Sequence, residues 1–330
     1  MELLTEVPKI FSNALQVHHI SKGVERTKKY IEERKEGVVN PLKTFSNKLN
    51  NILEGGVEWQ RILTIAGLSG SGKSIALEQL KRSFLENHKD IAILSFEFEM
   101  MIEDQILRRV SADANVGAKD PIKGKIDATP LMDGYAAENL FFVDKIGSVA
   151  EIAATVRNFI TFLPPEIGLL VTVDHSVLTK GKQGESEKVI VDDLMHTLVE
   201  LKKEFGETGR RCTFVVLSQL NRDIEDSNRV LNPFLHYPTK NDIFCSSAVY
   251  YSSDYVIITH KPKDINGIHQ YYGPPLVPRF PQGLPVICPT QENKAMIYWH
   301  LIKDRFGERA ILPFVEDFKH SKVIEYEFQK

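Results

Sequence analysis

Residues 61–74 read Arg61-Ile-Leu-Thr-Ile-Ala-Gly67-Leu-Ser-Gly-Ser-Gly72-Lys73-Ser74, an apolar run that breaks into a glycine-rich turn and ends on Lys-Ser. The turn satisfies G-x-x-x-x-G-K-[ST], and the stretch Ile75–Leu85 behind it sets Leu77, Leu80 and Phe84 at helical spacing. Strand, turn and helix in that order give the pattern its meaning. The glycines let successive backbone amides curl around an anion, the helix N-terminus adds positive potential, and Lys73 adds a full charge. Gly67, Ser69, Gly70, Ser71, Gly72, Lys73 and Ser74 are therefore the candidate cradle for a nucleoside triphosphate. Lys73 is placed on its β- and γ-phosphates and Ser74 on Mg2+.

Outward from this turn, short apolar runs alternate with helical segments, as in a mostly parallel sheet covered on both faces. The expected strands are Arg61–Ala66, Ile91–Phe98, Leu169–Val173, Thr213–Leu217 and Tyr255–Thr259, joined by crossovers, then Met296–Ile302 and Ala310–Val315 as a hairpin. Ile190, Leu194, Leu198, Leu201 and Phe205 repeat with the phase of a helix buried on one side. The proline-rich stretch 262–289 suits neither ladder nor helix interior and is expected to form a surface loop. Ahead of the sheet, 22–36 is densely charged with a thin stripe of Ile20, Val24 and Ile31. It reads as a helical arm over residues 1–40, closed by Asn40-Pro41, before a single α/β domain over 41–330.

Composition narrows the class. With 330 residues, 26% charged and 42% hydrophobic, the chain can bury a core, which excludes disorder and fibres. A net charge of -3 carries no overall basic field, so a nucleic-acid partner would need a local patch. Cys212, Cys245 and Cys288 are odd in number and far apart, which suits a reducing, cytoplasmic setting. No run approaches eighteen apolar residues, so neither a signal peptide nor a membrane span is expected.

The hydrolytic parts follow from what each must do. A carboxylate on the magnesium side should end a buried strand beside the turn, and the run Leu169–Val173 ends in Asp174. A base for the attacking water should come from the neighbouring strand end, where Glu97 and Glu99 stand two residues apart on one strand face. The residues alone leave open which of the two it is.

These residues also carry a resemblance. Gly67–Ser74, Phe98-Glu99-Met100, the run into Asp174-His175, Ser218-Gln219-Leu220-Asn221-Arg222 and Lys303-Asp-Arg305-Phe-Gly307 resemble the successive motifs of DnaB-like replicative helicases, over about Phe45 to Tyr326. The resemblance implies a RecA-like P-loop core that assembles as a hexameric ring on single-stranded DNA, hydrolyses ATP with Mg2+ and unwinds duplex, in the 5′-to-3′ direction. It implies Glu99 as base, since the downstream match runs without a gap through Glu103 and Arg108, with Glu97 as the alternative. It implies Gln219 as the group that reports the γ-phosphate, and Lys303 and Arg305 as cations lent to the next subunit's site.

In such a ring the segments after Asp174 and Gln219 face the central hole. Lys180, Lys182, Arg222, Arg229, Lys240, Ser246 and Ser247 are therefore the candidate contacts to single-stranded DNA or a forked duplex. Where the family tends to S-D-L-R-E-S-G, this chain reads Asn241-Asp-Ile-Phe244-Cys245-Ser246-Ser247, so Phe and Cys replace Arg and Glu. Further copies of the chain and other replisome proteins are the implied partners, with no membrane. With about forty residues before Pro41, the expectation is a motor without the family's separate N-terminal domain and without primase activity. Two other readings stand beside this one: a RecA-like recombinase or repair ATPase, and a nucleotide-binding regulator or loader with a decayed motor.

Overall fold

The computed structural model describes residues 17–181, 184–265, 268, 271 and 295–326. The chain divides into two compact units, Met1–Pro41 and Leu42–Lys330. In the first, helix α1 (Ile20–Lys35) starts on His19, whose ring nitrogen accepts from the Ser21 N–H, and ends on Arg34 and Lys35, cations that suit a helix C-terminus. None of its residues is buried, and Ile20, Val24 and Ile31 are exposed.

The second unit carries nine strands among the described residues: β1 (Ile62–Gly67), β2 (Ile91–Glu97), β3 (Leu140–Val143), β4 (Gly168–Asp174), β5 (Cys212–Gln219), β6 (Tyr255–His260), β7 (Met296–Asp304), β8 (Ala310–Asp317) and β9 (Lys322–Glu325). Its helices are α2 (Asn47–Ile52), α3 (Lys73–Asn87), α4 (Ile102–Ala114), α5 (Thr129–Tyr135), α6 (Val149–Phe162), α7 (Glu187–Glu207), α8 (Ser227–Val230) and α9 (Ser246–Ser252). They surround one sheet of order β3-β2-β4-β5-β1-β6-β7-β8-β9, parallel from β3 to β6 and antiparallel from β6 to β9. The five expected crossover strands are β1, β2, β4, β5 and β6, and the expected hairpin is β7 and β8. A sixth parallel strand, β3, and a last antiparallel one, β9, extend the two edges. Of the proline-rich stretch 262–289, only 262–265, Ile268 and Tyr271 are described, and Pro262–Asp264 forms a 3-10 turn.

Apolar runs become central strands here because both faces are covered. Every residue of β1, β2 and β4 is buried. Ile62, Ala66, Leu94, Phe96, Val171 and Val216 face α6 and α7, whose Ile152, Val156, Leu194, Leu198 and Leu201 complete one continuous core. Residues of opposite phase, such as Leu63 and Ile65, point to the other face, where α3 contacts β1 and β2 and buries Leu77, Leu80 and Phe84. Truncating one of these large side chains to Ala costs about 2–5 kcal/mol, so the frame that holds the turn after β1 is stiff. That turn lies at the carboxyl ends of the parallel strands, where open α/β sheets bind ligands.

Candidate active site

Between β1 and α3 the chain turns through Gly70 at φ +80° and Gly72 at φ +86°, conformations that residues with a Cβ rarely adopt. At Gly72 a Cβ would also come within 2.9 Å of the Phe318 ring. Gly72 caps α3 with no side-chain hydrogen bond, so the first amides of the helix remain open to an anion. Lys73 Nζ donates to the carbonyls of Gly67 and Leu68, both at 2.9 Å, which folds the ammonium back over the turn. Burial pulls its pKa down to about 8, against the attraction of Asp174 and Glu99. Above the turn opens a cleft of about 450 Å³, walled by Ser69, Lys73, Ser74, Glu99, Arg108, His175, Gln219 and Phe318.

The two glutamates part company at the end of β2. Glu97 is the last strand residue and is 2% exposed. Its carboxylate accepts from Lys81 Nζ of α3 at 2.9 Å, from Ser95 Oγ at 2.5 Å and from the Gln105 amide. It is not among the residues walling the cleft, and both of its oxygens are engaged within this buried cluster. The expectation that both glutamates share one strand face is corrected here, because residues 98–100 bend out of the strand and end the alternation. Glu99 comes out of that bend with its side chain 54% exposed, on the cleft wall, 3.6 Å from His175 Nε2.

Asp174 ends β4 in register with Glu97 and is 3% exposed. Burial first, then the neighbouring Glu97, raise its pKa to about 7, while a hydrogen bond from Ser74 lowers it. Its Oδ1 is buried with no hydrogen-bond partner among the described residues. An unpartnered carboxylate oxygen beside a serine hydroxyl at the head of a phosphate-binding turn fits a divalent cation held jointly with phosphate oxygens. No cluster of three His, Cys, Asp or Glu suited to a metal occurs among the described residues, so such a cation would depend on the nucleotide for its remaining ligands.

Lys303 and Arg305 lie elsewhere. Through β6, the pairing Leu63↔Tyr255 continues to Tyr255↔Asp304, whereas Gly67 pairs with Thr259 and Thr259 with Trp299. The two cations thus stand level with the start of β1, four residues before Gly67, or about 13 Å along the strand. A register shift between Val256 and Ile257, opposite Leu301 and Lys303, re-aims the end of β7. Lys303 Nζ donates to Tyr250 O at 2.6 Å and sits 4.9 Å from the Tyr250 ring, and burial lowers its pKa. Arg305 Nε lies 2.9 Å from Asp254 Oδ1, with the side chain 46% exposed.

Of the candidate DNA contacts, Lys180, Arg222, Lys240 and Ser247 are not buried. Lys182 lies outside the described residues, and Ser246 is the first residue of α9. Arg229 departs from expectation, because its guanidinium is spent inside its own loop. It donates to Leu235 O at 2.8 Å, Tyr237 O at 2.8 Å and both oxygens of Asp242. Sequence reasoning placed Arg108 and His175 within the matching motifs without giving either a role, and did not single out Phe318, a third cleft wall. Arg108 is half-buried with no ion-pair partner among the described residues, and its place nine residues after Glu99 on α4 is the signal that could have put it on the cleft.

A phosphate turn after the central strand of a mostly parallel sheet, with acids at the same ends of β4 and β2 beyond β5, defines a RecA-like P-loop ATPase core. The chain belongs to the DnaB-like helicase C-terminal domain family, whose model matches residues 41–308. It is an ATP-hydrolysing enzyme of helicase type. Among solved structures, one of an ATPase domain matches with a TM-score of 0.72 at 14% identity, over 94% of this chain and 100% of that one. The structure of a DnaB-like replicative helicase and its interactions with primase matches with a TM-score of 0.70 at 16% identity, over 92% of this chain and 66% of that one. At such identities the likeness establishes the fold. No curated protein matches the sequence. No described helix is long and apolar enough to cross a membrane.

Proposed function

We propose that the chain is a replicative DNA helicase motor that works as a ring, hydrolyses Mg2+-ATP between adjacent copies, and moves 5′-to-3′ on single-stranded DNA to open duplex ahead of it. The observation that carries this reading is the distance of about 13 Å along the strand between the phosphate turn and the level of Lys303 and Arg305. Cations at the far end of the sheet complete a site only on a neighbour.

In this reading Lys73 and the open amides of α3 hold the β- and γ-phosphates, and Ser74 and Asp174 hold Mg2+. When bound, the cation neutralises charge on the phosphate oxygens. Glu99, exposed on the cleft wall, takes the proton of the attacking water, and Glu97 serves the fold through Lys81. Gln219, at the end of β5, borders the phosphate cleft and also the neighbouring one that contains Arg222. It links the γ-phosphate to the DNA-facing segment. Arg305 of the next copy meets charge that builds on the transferring phosphoryl group. Among the described candidates, Lys180, Arg222 and Lys240 are the accessible cations for DNA phosphates, with Arg229 holding the shape of the 222–245 loop.

Unwinding of a forked duplex, measured across protein concentrations, tests the proposal. Strand separation should rise steeply as copies associate, and full ATP turnover by a dilute monomer would reject it. Imaging with a non-hydrolysable ATP analogue and single-stranded DNA separates the recombinase reading, since long helical filaments in place of closed rings would favour it.

A further inference from the structure

Asp254 is a charged residue that the reaction outlined above does not use, yet it is 1% exposed at the start of β6. Burying a carboxylate is costly unless it is paired and hydrogen-bonded, and this one is satisfied from three directions. Its Oδ2 accepts from the Ile62 N–H at 2.9 Å and from Lys202 Nζ at 2.8 Å, and its Oδ1 faces Arg305 Nε at 2.9 Å. The backbone repeats the connection, with Asp254 N–H donating to Ile62 O and Arg305 N–H to Asp254 O. Ile62 opens the central strand and Lys202 belongs to the long helix α7, which packs one face into the core. Asp254 is therefore anchored to the central strand β1 and to α7, and Arg305 is anchored to Asp254.

Which nitrogen is held matters. An Arg side chain offers Nε and two terminal nitrogens in a planar fork. Nε makes the closest approach to Asp254, and among the described residues neither terminal nitrogen makes a hydrogen bond, so the outer part of the fork stays available on a side chain nearly half exposed. Lys303 differs, with its ammonium drawn onto Tyr250 O and the Tyr250 ring.

We propose that Asp254 is the positioning residue of the ATPase site of the neighbouring copy: it grips Arg305 by Nε and sets the free edge of the guanidinium toward that copy's γ-phosphate. The inference rests on the trans role assigned to Arg305 above. A preset guanidinium needs no reorganisation as charge develops, and a misplacement of about 1 Å at such a group costs roughly 10²-fold. Lys202 holds the carboxylate in place from behind.

The test is a kinetic cycle on the full chain with single-stranded DNA and Mg2+-ATP. Asp254→Asn should lower kcat by about 10–100-fold while the KM for ATP stays within about twofold, since the nucleotide's own pocket is untouched. In the double variant with Arg305→Ala, the added Asp254→Asn should cost nothing further. Asp254→Asn subunits mixed with Glu99→Gln subunits should regain turnover, because the injury lies on the lending face and the receiving site is intact. A variant that merely failed to fold would give no such recovery. Wild-type kcat in Asp254→Asn, or losses that add in the double variant, would overturn the role of Asp254 while leaving Arg305 in place. Wild-type turnover in Arg305→Ala would instead remove the reading on which the inference stands.

Discussion

At the carboxyl end of β1, Gly72 leaves the first amides of α3 uncapped and Asp174 keeps an oxygen unpaired, whereas at the amino end of the same strand Lys303 and Arg305 are already fastened, to Tyr250 O and to Asp254. Unsatisfied buried polar groups each cost about 1–3 kcal/mol, so the first end is held open by the rigid sheet beneath it and gains when a phosphate and its cation arrive. The second end is complete without ligand. In the proposed reading the first is a receiving site, built from unmet hydrogen-bonding demand, and the second a lending site, built from demand already met, with one edge left over.

The contrast can be broken most severely at the lending end. Arg305→Ala should lower DNA-stimulated ATP turnover by about 10³-fold or more, and mixing it with Glu99→Gln subunits should restore part of the rate. Independent losses with no recovery would place both residues in one chain's site. At the receiving end, Lys73→Ala should reduce turnover by about 10²–10³-fold, read as steady-state phosphate release; a wild-type rate would mean the turn after β1 does not hold the nucleotide. Glu97→Gln sharpens the difference between the two acids. It should lower unfolding free energy in urea by about 3 kcal/mol, by leaving Lys81 short of a buried partner, with nucleotide affinity retained. Glu99→Gln should do the opposite, sparing stability and removing turnover. The mildest effect concerns Asp174, whose pKa stands near 7 without ligand because of burial. Below that pH a proton competes with the cation, so apparent Mg2+ affinity should weaken about tenfold per pH unit and level off above 7. Calorimetric titration across that pH range would reveal a flat profile if the carboxylate is not a ligand.

Much of the receiving end was legible in the sequence because its chemistry is local. Eight consecutive residues specify the turn, and the strand and helix on either side declare themselves by their periods. β3 and β9 were not legible, since each is four residues long and only partly buried, so no apolar run or clean alternation marks it. The choice between Glu97 and Glu99 was closed to strand alternation, and only the gap-free family match favoured Glu99. It depends on a bend at 98–100 and on Lys81, which comes from another element and reaches Glu97 only once α3 has docked. Arg229 shows the same limit in a loop, where a cation beside proposed DNA contacts proves to be bound to Asp242, thirteen positions on. Spacing in the chain announces motifs that touch their ligand through backbone, but it does not announce which charged side chains the fold will consume for itself.

The separation of turn and cations along the sheet has a consequence for counting. A straight file of such molecules, each leaning on the next, always strands one empty cradle at its head and one idle guanidinium at its tail. Adding members dilutes that waste without abolishing it. On the proposed trans role of Arg305, only a file bent until its ends meet gives every cradle a donor and every donor a cradle, so the two proposed halves of the site, read together, contain a reason for the circle.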